Sequence, residues 1–147
     1  MKKILGIAVL VIGAVCVQAE EAFLQLSLTP DIALKSRETT IKGISLNIWG
    51  ENPQQGVALG IANGSTGNSC GFSWALGLNY ADSYTGVQWA LVNVSKKSFV
   101  GWQAGFVNVA LGSFVGAQTG WVNIAQECTG LQLGYVNYSE NHKGVQI

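Results

Sequence analysis

The chain has 147 residues, of which 48% are hydrophobic and only 11% charged, and its formal net charge is zero. Soluble domains usually carry about 25% charged residues, and nucleic-acid binding normally depends on an excess of basic side chains. The composition therefore excludes an electrostatic nucleic-acid binder and is unusual for a protein that is surrounded by water.

The first 19 residues have the features of a secretory signal peptide. Two lysines precede an apolar run from Ile4 to Val17, and the small residue Ala19 lies just before Glu20. The run is short for a membrane-spanning helix. We therefore predict an exported protein that is cleaved after Ala19.

Residues 20–42 are predicted to form an N-terminal strand and a polar loop. The alternating segment Phe23–Leu28 is typical of a strand, and Thr29-Pro30-Asp31 ends it. Residues 31–42 hold five charged side chains and contain no catalytic pattern. A solvated loop or a sheet edge is the natural interpretation of this stretch.

Residues 43–147 contain a repeat of the form Gly-x-Gln-x-Gly-aromatic-Val-Asn, which is clearest at Gly101–Asn108 and Gly116–Asn123. Its copies begin at residues 43, 56, 71, 86, 101, 116, 130 and 144, so the period is 13 to 15 residues. A fixed period of this kind predicts a repeat architecture. Because the last copy stops after four residues, we expect this β-repeat domain to be truncated at its C-terminus, as a fragment of a longer protein.

Each copy consists of an apolar segment rich in Val, Trp, Phe, Tyr and Leu and a short polar connector. This pattern predicts an all-β protein of about eight to nine strands. A straight strand of nine residues is about 30 Å long, which is too far for five or six connector residues to return. We therefore expect an antiparallel meander that closes as a β-barrel, with a parallel β-solenoid as the alternative if the coil bends at the second glycine of the motif.

The motif, best seen in Gly130–Asn137 and Lys143–Ile147, resembles the Leptospira-type bacterial surface-repeat family. Its repeats are similar to Gly-Leu-Gln-Leu-Gly-Leu-Val-Asn at the same spacing, and the segments Leu24–Pro30 and Ile41–Asn52 are similar to that family's opening. The resemblance covers nearly the whole mature chain. It implies an exported, surface-associated protein and contributes no catalytic residues.

The repeated amides are the candidate ladder or lumen positions. They could line a pore, bind sugars or satisfy one another, and we favour mutual satisfaction within the architecture. The positions are Gln88, Gln103, Gln118, Gln132, Gln146, Asn63, Asn79, Asn93, Asn108, Asn123 and Asn137.

No enzyme, cofactor or metal site is predicted. His142 is the chain's only histidine and has no recurring partners near it in the sequence. The tryptophans of the repeats are explained most simply as core or interface residues. They are Trp74, Trp89, Trp102 and Trp121.

The expected function is that of an exported bacterial surface or outer-membrane protein with a structural or adhesive role, whose partners are outer-membrane lipid or the cell surface. A soluble secreted β-solenoid that binds glycans or host proteins is one alternative, and a small outer-membrane pore is another. The oligomeric state stays open at this level.

Overall fold

A computed structural model describes residues 21–147, so the predicted signal peptide lies outside the described residues. Seven strands form one sheet in which strand order equals chain order and every neighbouring pair is parallel. The strands are β1 (Glu21–Ser27), β2 (Thr40–Asn52), β3 (Gln55–Trp89), β4 (Val92–Ala104), β5 (Val107–Thr119), β6 (Val122–Leu133) and β7 (Val136–Gln146). The chain is therefore a parallel β-solenoid, in which each repeat forms one coil.

The prediction of an antiparallel meander closing as a barrel is wrong, and the solenoid alternative is confirmed. The error was the assumption of straight strands. β4 ends at Ala104 and β5 begins at Val107. The chain therefore bends at Gly105, which is the second glycine of the motif, and at Phe106. Because each side of the coil between bends is short, a connector does not have to run back along a whole strand. The pore alternative loses the barrel lumen on which it depended.

From Gly71 onward, the first glycine of each motif marks a second change of direction. Gly71, Gly86, Gly101, Gly116, Gly130 and Gly144 have φ between 123° and 139°, a region that favours glycine. The 35 residues of β3 would be about 115 Å long if straight. Instead, β3 passes through two such glycines, with Gly71 next to the backbone of Gly56 and Gly86 next to that of Gly71.

The sheet begins before the predicted domain boundary at residue 43. Gln25 in β1 is in register with Ser45 in β2, so the segment Phe23–Leu28 forms the first coil. The side chain of Gln25 is fully buried and bonds both backbone groups of Lys35, with Oε1 accepting from the amide at 2.8 Å and Nε2 donating to the carbonyl at 3.0 Å. The polar loop is thereby tied to the solenoid.

The bend also changes which side chains point inward. In a straight strand Asn108 would share a face with Trp102 and Phe106, as alternation predicts. Asn108 is instead fully buried together with Gln103, while Trp102 and Phe106 are about half exposed. Gly105 and Phe106 at the bend belong to no strand, and they shift the alternation. The glutamine and the asparagine of one motif therefore both point into the interior of the coil.

The interior also contains an aromatic column at the far side of the coil. Tyr84, Phe99 and Phe114 are buried and in register, with ring centroids 5.8 Å and 5.3 Å apart and nearly parallel planes. Cys128 and His142 continue the column in the next two coils. A row of small residues that includes Ala110 and Ala125 fills the remaining space in the core cluster.

Candidate functional site

The glutamines of the motif form one continuous ladder inside the solenoid. Each Nε2 donates to the Oε1 of the preceding coil: Gln103 to Gln88 at 3.1 Å, Gln118 to Gln103 at 2.9 Å, and Gln132 to Gln118 at 2.7 Å. Gln146 also donates to Gln132 but is exposed, whereas the other four are fully buried. Parallel stacking in register is what makes this pairing possible.

The asparagines form a second ladder, in which the donors face the following coil. Nδ2 donates to the next Oδ1 along Asn63, Asn79, Asn93, Asn108, Asn123 and Asn137, over distances of 2.7 to 3.2 Å. Five of these amides also donate to a backbone carbonyl of the following coil: Asn63 to Trp74, Asn93 to Ala104, Asn108 to Thr119, Asn123 to Leu133 and Asn137 to Ile147. The side chains from Asn63 to Asn123 are buried.

The two ladders have a structural role in these coils. Their amides bond one another and the backbone, and those from Gln88 to Gln132 and from Asn63 to Asn123 have essentially no exposed surface. Gln88 Nε2, at the start of the glutamine ladder, has no hydrogen-bond partner, and the preceding coil carries the shorter Ser73 at the matching place. A glycan or another solute would have to displace the core in order to reach these side chains.

We expect Gln118→Leu to lower the free energy of unfolding by about 2–4 kcal/mol. The substitution leaves two buried groups without their hydrogen-bond partners: Gln103 Oε1 loses its donor, and Gln132 Nε2 loses its acceptor. The control is Gln146→Leu, which alters the exposed end of the same ladder and should cost less than about 1 kcal/mol. Urea unfolding followed by tryptophan fluorescence measures both. Equal losses in the two variants would contradict a structural role for the buried ladder.

Four amides were missed at the level of sequence: Gln25, Asn52 and Gln54, which are buried, and Asn47, which is half-buried. Gln25 occupies the ladder register within Leu24-Gln25-Leu26, which matches the x-Gln-x of the later copies. Asn47 donates to Asn63 Oδ1 at 2.8 Å and so extends the asparagine ladder by one coil. The signal for Gln25 was present, but the segment lacks the leading glycine by which the copies were recognised.

The outer surface next to the glutamine ladder is a broad apolar face. Its side chains are the outward residues at the second, fourth and sixth places of each coil, and they form three rows along the solenoid. The first row is Leu24, Ile44, Val57, Phe72, Val87, Trp102, Ala117, Leu131 and Val145; the second is Leu26, Leu46, Leu59, Trp74, Trp89, Ala104, Thr119, Leu133 and Ile147; the third is Leu28, Ile48, Ile61, Leu76, Leu91, Phe106, Trp121 and Tyr135. Thr119 is the one polar side chain in these rows.

The two halves of the apolar face differ in the size and shape of their side chains. The N-terminal half is aliphatic and contains an open groove of about 680 Å³ lined by residues such as Leu46, Leu59 and Ile61. The C-terminal half is aromatic, and Trp89, Trp102, Phe106 and Trp121 are each 46% to 59% exposed around a second groove of about 560 Å³. The two grooves meet at Trp74 and Leu76.

The aromatic rings of the third row stack along the solenoid axis. The centroids of Phe106 and Trp121 are 5.2 Å apart, and those of Trp121 and Tyr135 are 5.6 Å apart in an edge-to-face arrangement. Sugar binding would need polar groups beside such rings. The hydroxyl of Thr119 already accepts a hydrogen bond from Trp102 Nε1 at 2.9 Å, so the face is better suited to an apolar partner than to a glycan.

Charged side chains lie mainly on the other edge of the coil. Lys96, Lys97, Glu127 and Glu140 are exposed in the parts of β4, β6 and β7 that follow the asparagine ladder, so the polar segments predicted as connectors belong to strands. At the N-terminal end, Arg37 pairs with Asp31 and Glu51, each at 3.1 Å. The solenoid is thus amphipathic across its section, because the apolar rows and most of the charges occupy different sides.

A small polar cluster joins the first coils on a third side. Tyr80 Oη donates to Glu51 Oε2 at 2.9 Å and accepts from Trp49 Nε1 at 3.0 Å, while its ring covers Gly64. Burial, as the main cause, raises the pKa of the Tyr80 phenol. The cluster fastens neighbouring coils and Arg37 together, which is a structural role.

The remaining reactive side chains do not form a centre. Cys70 is exposed and Cys128 buried, and both are free; burial raises the pKa of the Cys128 thiol. The ring nitrogens of His142 are buried without hydrogen-bond partners. Within residues 21–147, no three His, Cys, Asp or Glu side chains are grouped so that they could hold a metal ion, and none of these residues forms a helix that could cross a membrane.

The fold and this surface together define the class: a parallel β-solenoid with an amide-filled interior and one apolar face. Comparisons with protein-family models, curated proteins and solved structures gave no match. The resemblance to the Leptospira-type surface-repeat family therefore stays a prediction from the motif.

Proposed function

We propose that this chain is an exported bacterial surface protein with a structural or adhesive role, and that its solenoid is a rigid scaffold that attaches through the apolar face. The apolar face is the observation that carries the proposal. The largest apolar patch on a typical monomer covers about 300–600 Å² and is often functional. Three rows over nine coils cover roughly 600 Å² at about 4.8 Å per coil and 3.3 Å per residue.

The sequence and the charge distribution support location at the cell surface. The predicted signal peptide provides for export, and the low charge content is concentrated on the edge away from the apolar face. That arrangement leaves Lys96 and Lys97 facing solvent when the apolar face is covered. The alternative of a soluble glycan binder has the stacked rings of Phe106, Trp121 and Tyr135 in its favour, but these rings lack free polar neighbours.

Location is tested by producing the chain with its own leader in a bacterial host. We expect it in the envelope fraction, where a membrane-impermeant amine reagent labels it on intact cells through lysines such as Lys96 and Lys97. Recovery in the cytoplasm, or in the medium without any association with the envelope, would overturn the proposal.

The role of the apolar face is tested with two matched substitutions. Trp89 in the centre of the face and Leu111, which lies in β5 outside the three rows, are each 54% exposed. We expect Trp89→Glu to lose envelope association at least tenfold, because a charge then opposes burial of the face, and Leu111→Glu to behave as the parent protein. Equal behaviour of the two variants would show that attachment does not use this face.

A further inference from the structure

We propose that the apolar face is an interface between two copies of this chain, which pack face to face as a twofold dimer with antiparallel solenoid axes. The inference rests on the proposed function, in which attachment uses the apolar face, and makes the surface to which the solenoid attaches another copy of the chain. It goes further by naming the occupant, a second copy, and the orientation in which that copy binds.

The size of the face is the first argument. Two sheet faces pack about 10 Å apart with interdigitating side chains. Pairing the full face of each copy buries roughly 1,200 Å² in total, which is at the lower edge of stable, specific interfaces. The ridges and grooves of this face add accessible surface to that flat estimate. The charge-poor centre also matches the composition of interface cores.

The uneven distribution of large and small side chains over the face is the second argument, and it selects the orientation of the second copy. With the twofold axis along the strands and through the coil of Trp89, each coil faces the coil equally far on the other side of that centre. Trp74 then faces Ala104 of the second copy, and Trp121 faces Ile61 at the rim of the aliphatic groove. Trp89 lies on the axis and faces itself, and Trp102 faces Phe72, but Trp74 and Trp121 both meet smaller side chains across the interface.

The parallel orientation lacks this complementarity. With the axis along the solenoid, each coil faces its own equivalent, so that Trp74 meets Trp74 in addition to the contact of Trp89 with Trp89 that both orientations share. Ala104 would meet Ala104 and leave a gap in the coil next to these two crowded ones. Close packing at interface cores favours the antiparallel arrangement.

The absence of charge explains why a copy fits better than a charged partner. None of the three rows contains Asp, Glu, Lys or Arg, so the face offers nothing to attract or orient an ionic surface. Its aromatic half offers large rings, and its aliphatic half offers a groove of about 680 Å³ that takes them. Both halves of the required complement are present on one chain.

The oligomeric state of the purified protein is measured by sedimentation equilibrium. We expect a dimer, an increase in the dissociation constant of at least about 30-fold for Trp89→Glu because a charge enters the centre of the interface, and no change for Leu111→Glu. Circular dichroism establishes that both variants are folded. A folded parent protein that stays monomeric at concentrations up to 100-fold above those present when its lysines are labelled on intact cells overturns the proposal.

The orientation is measured with a bis-maleimide cross-linker that spans about 10 Å, the separation of two packed sheets, in a Cys70→Ser background, which leaves Cys128 buried. Val87 lies on the proposed axis and faces itself, so Val87→Cys should cross-link; Ala117→Cys lies two coils away from the axis, roughly 20 Å from its equivalent in the second copy, and should not. A dimer in which Ala117→Cys cross-links as well as Val87→Cys, or in which neither does, overturns the antiparallel arrangement.

The outcomes separate this inference from the proposed function. A monomer that binds vesicles of uncharged phosphatidylcholine through Trp89 replaces the second copy with lipid, while surface attachment stands. A dimer that is not found at the cell envelope retains the interface and removes the surface role. A monomer that neither binds such vesicles nor associates with the envelope removes both.

Discussion

Replacement of Gly116 by alanine is expected to lower the free energy of unfolding by more than about 3 kcal/mol, or to prevent folding, because two independent obstacles coincide. Gly116 has a φ of 136°, which side-chain-bearing residues rarely adopt. A Cβ there would also lie 1.9 Å from the carbonyl oxygen of Gly101 in the preceding coil. Relief of this overlap would require the two coils to separate and the parallel ladder between them to break.

The matched control is Gly77→Ala. A Cβ at Gly77 has Ile61 O as its nearest neighbour at 3.3 Å, and Gly77 is not among the glycines with positive φ. We expect a change of less than about 1 kcal/mol in this variant. Urea unfolding followed by circular dichroism compares the two, and a Gly116→Ala protein as stable as Gly77→Ala would contradict the role assigned to the glycine column.

Replacement of Phe99 by alanine is expected to cost about 3–5 kcal/mol, because it empties the middle of the buried aromatic column. Phe99 is fully buried and stacks between Tyr84 and Phe114. The small residues of the same core cluster, such as Ala81 and Ala110, have side chains that are too short to fill the cavity.

The control for this substitution is Phe23→Ala, which removes the same side chain where it is 70% exposed. Unfolding by urea should show a loss below about 1 kcal/mol for this variant. Labelling of Cys128 in a Cys70→Ser background is an independent readout, since that thiol is buried in the same column. We expect labelling to accelerate in Phe99→Ala and not in Phe23→Ala; unchanged protection in both would show that the column does not hold the core.

The outer apolar face links these stability predictions to the function that we propose. The glycine, amide and aromatic columns keep nine successive coils in register, so the outward side chains of all coils align as three continuous rows. A slip of one residue would bring Gln103 or Gln118 to the surface and bury Trp102. The interior columns thus determine that the apolar face is continuous, and the face in turn determines what the scaffold can bind.

Much of the site was predictable from residue spacing because alternation along a strand is a local property. The bulky row positions of Trp102 and Phe106 and the contrasting position of Gln103 follow from period two, and the structure places them on the outside and inside accordingly. The all-β class likewise follows from β-branched and aromatic residues without a helical period. Alternation by itself would place Asn108 on the outer face with Trp102, because it does not account for the bend before Asn108.

Strand direction could not be derived from the repeat alone. Both a meander and a solenoid use the same alternating segments, and the choice depends on whether the chain runs straight through Gly105 or bends there. A glycine permits both conformations at little cost. The bend is selected by contacts between coils, in which Asn93 Nδ2 donates to the carbonyl of Ala104 and Gly105 packs on the carbonyl of Ala90.

By itself, the sequence determined the β class, the 13 to 15 residue period and the separation of apolar from amide-bearing positions, because each depends on neighbours within one coil. Only the tertiary structure decided the parallel stacking, the entry of both Gln103 and Asn108 into one interior, and the alignment of Trp102, Phe106 and Trp121 on one surface. These features depend on contacts between residues 14 or 15 positions apart. Such contacts form only when neighbouring coils are in register.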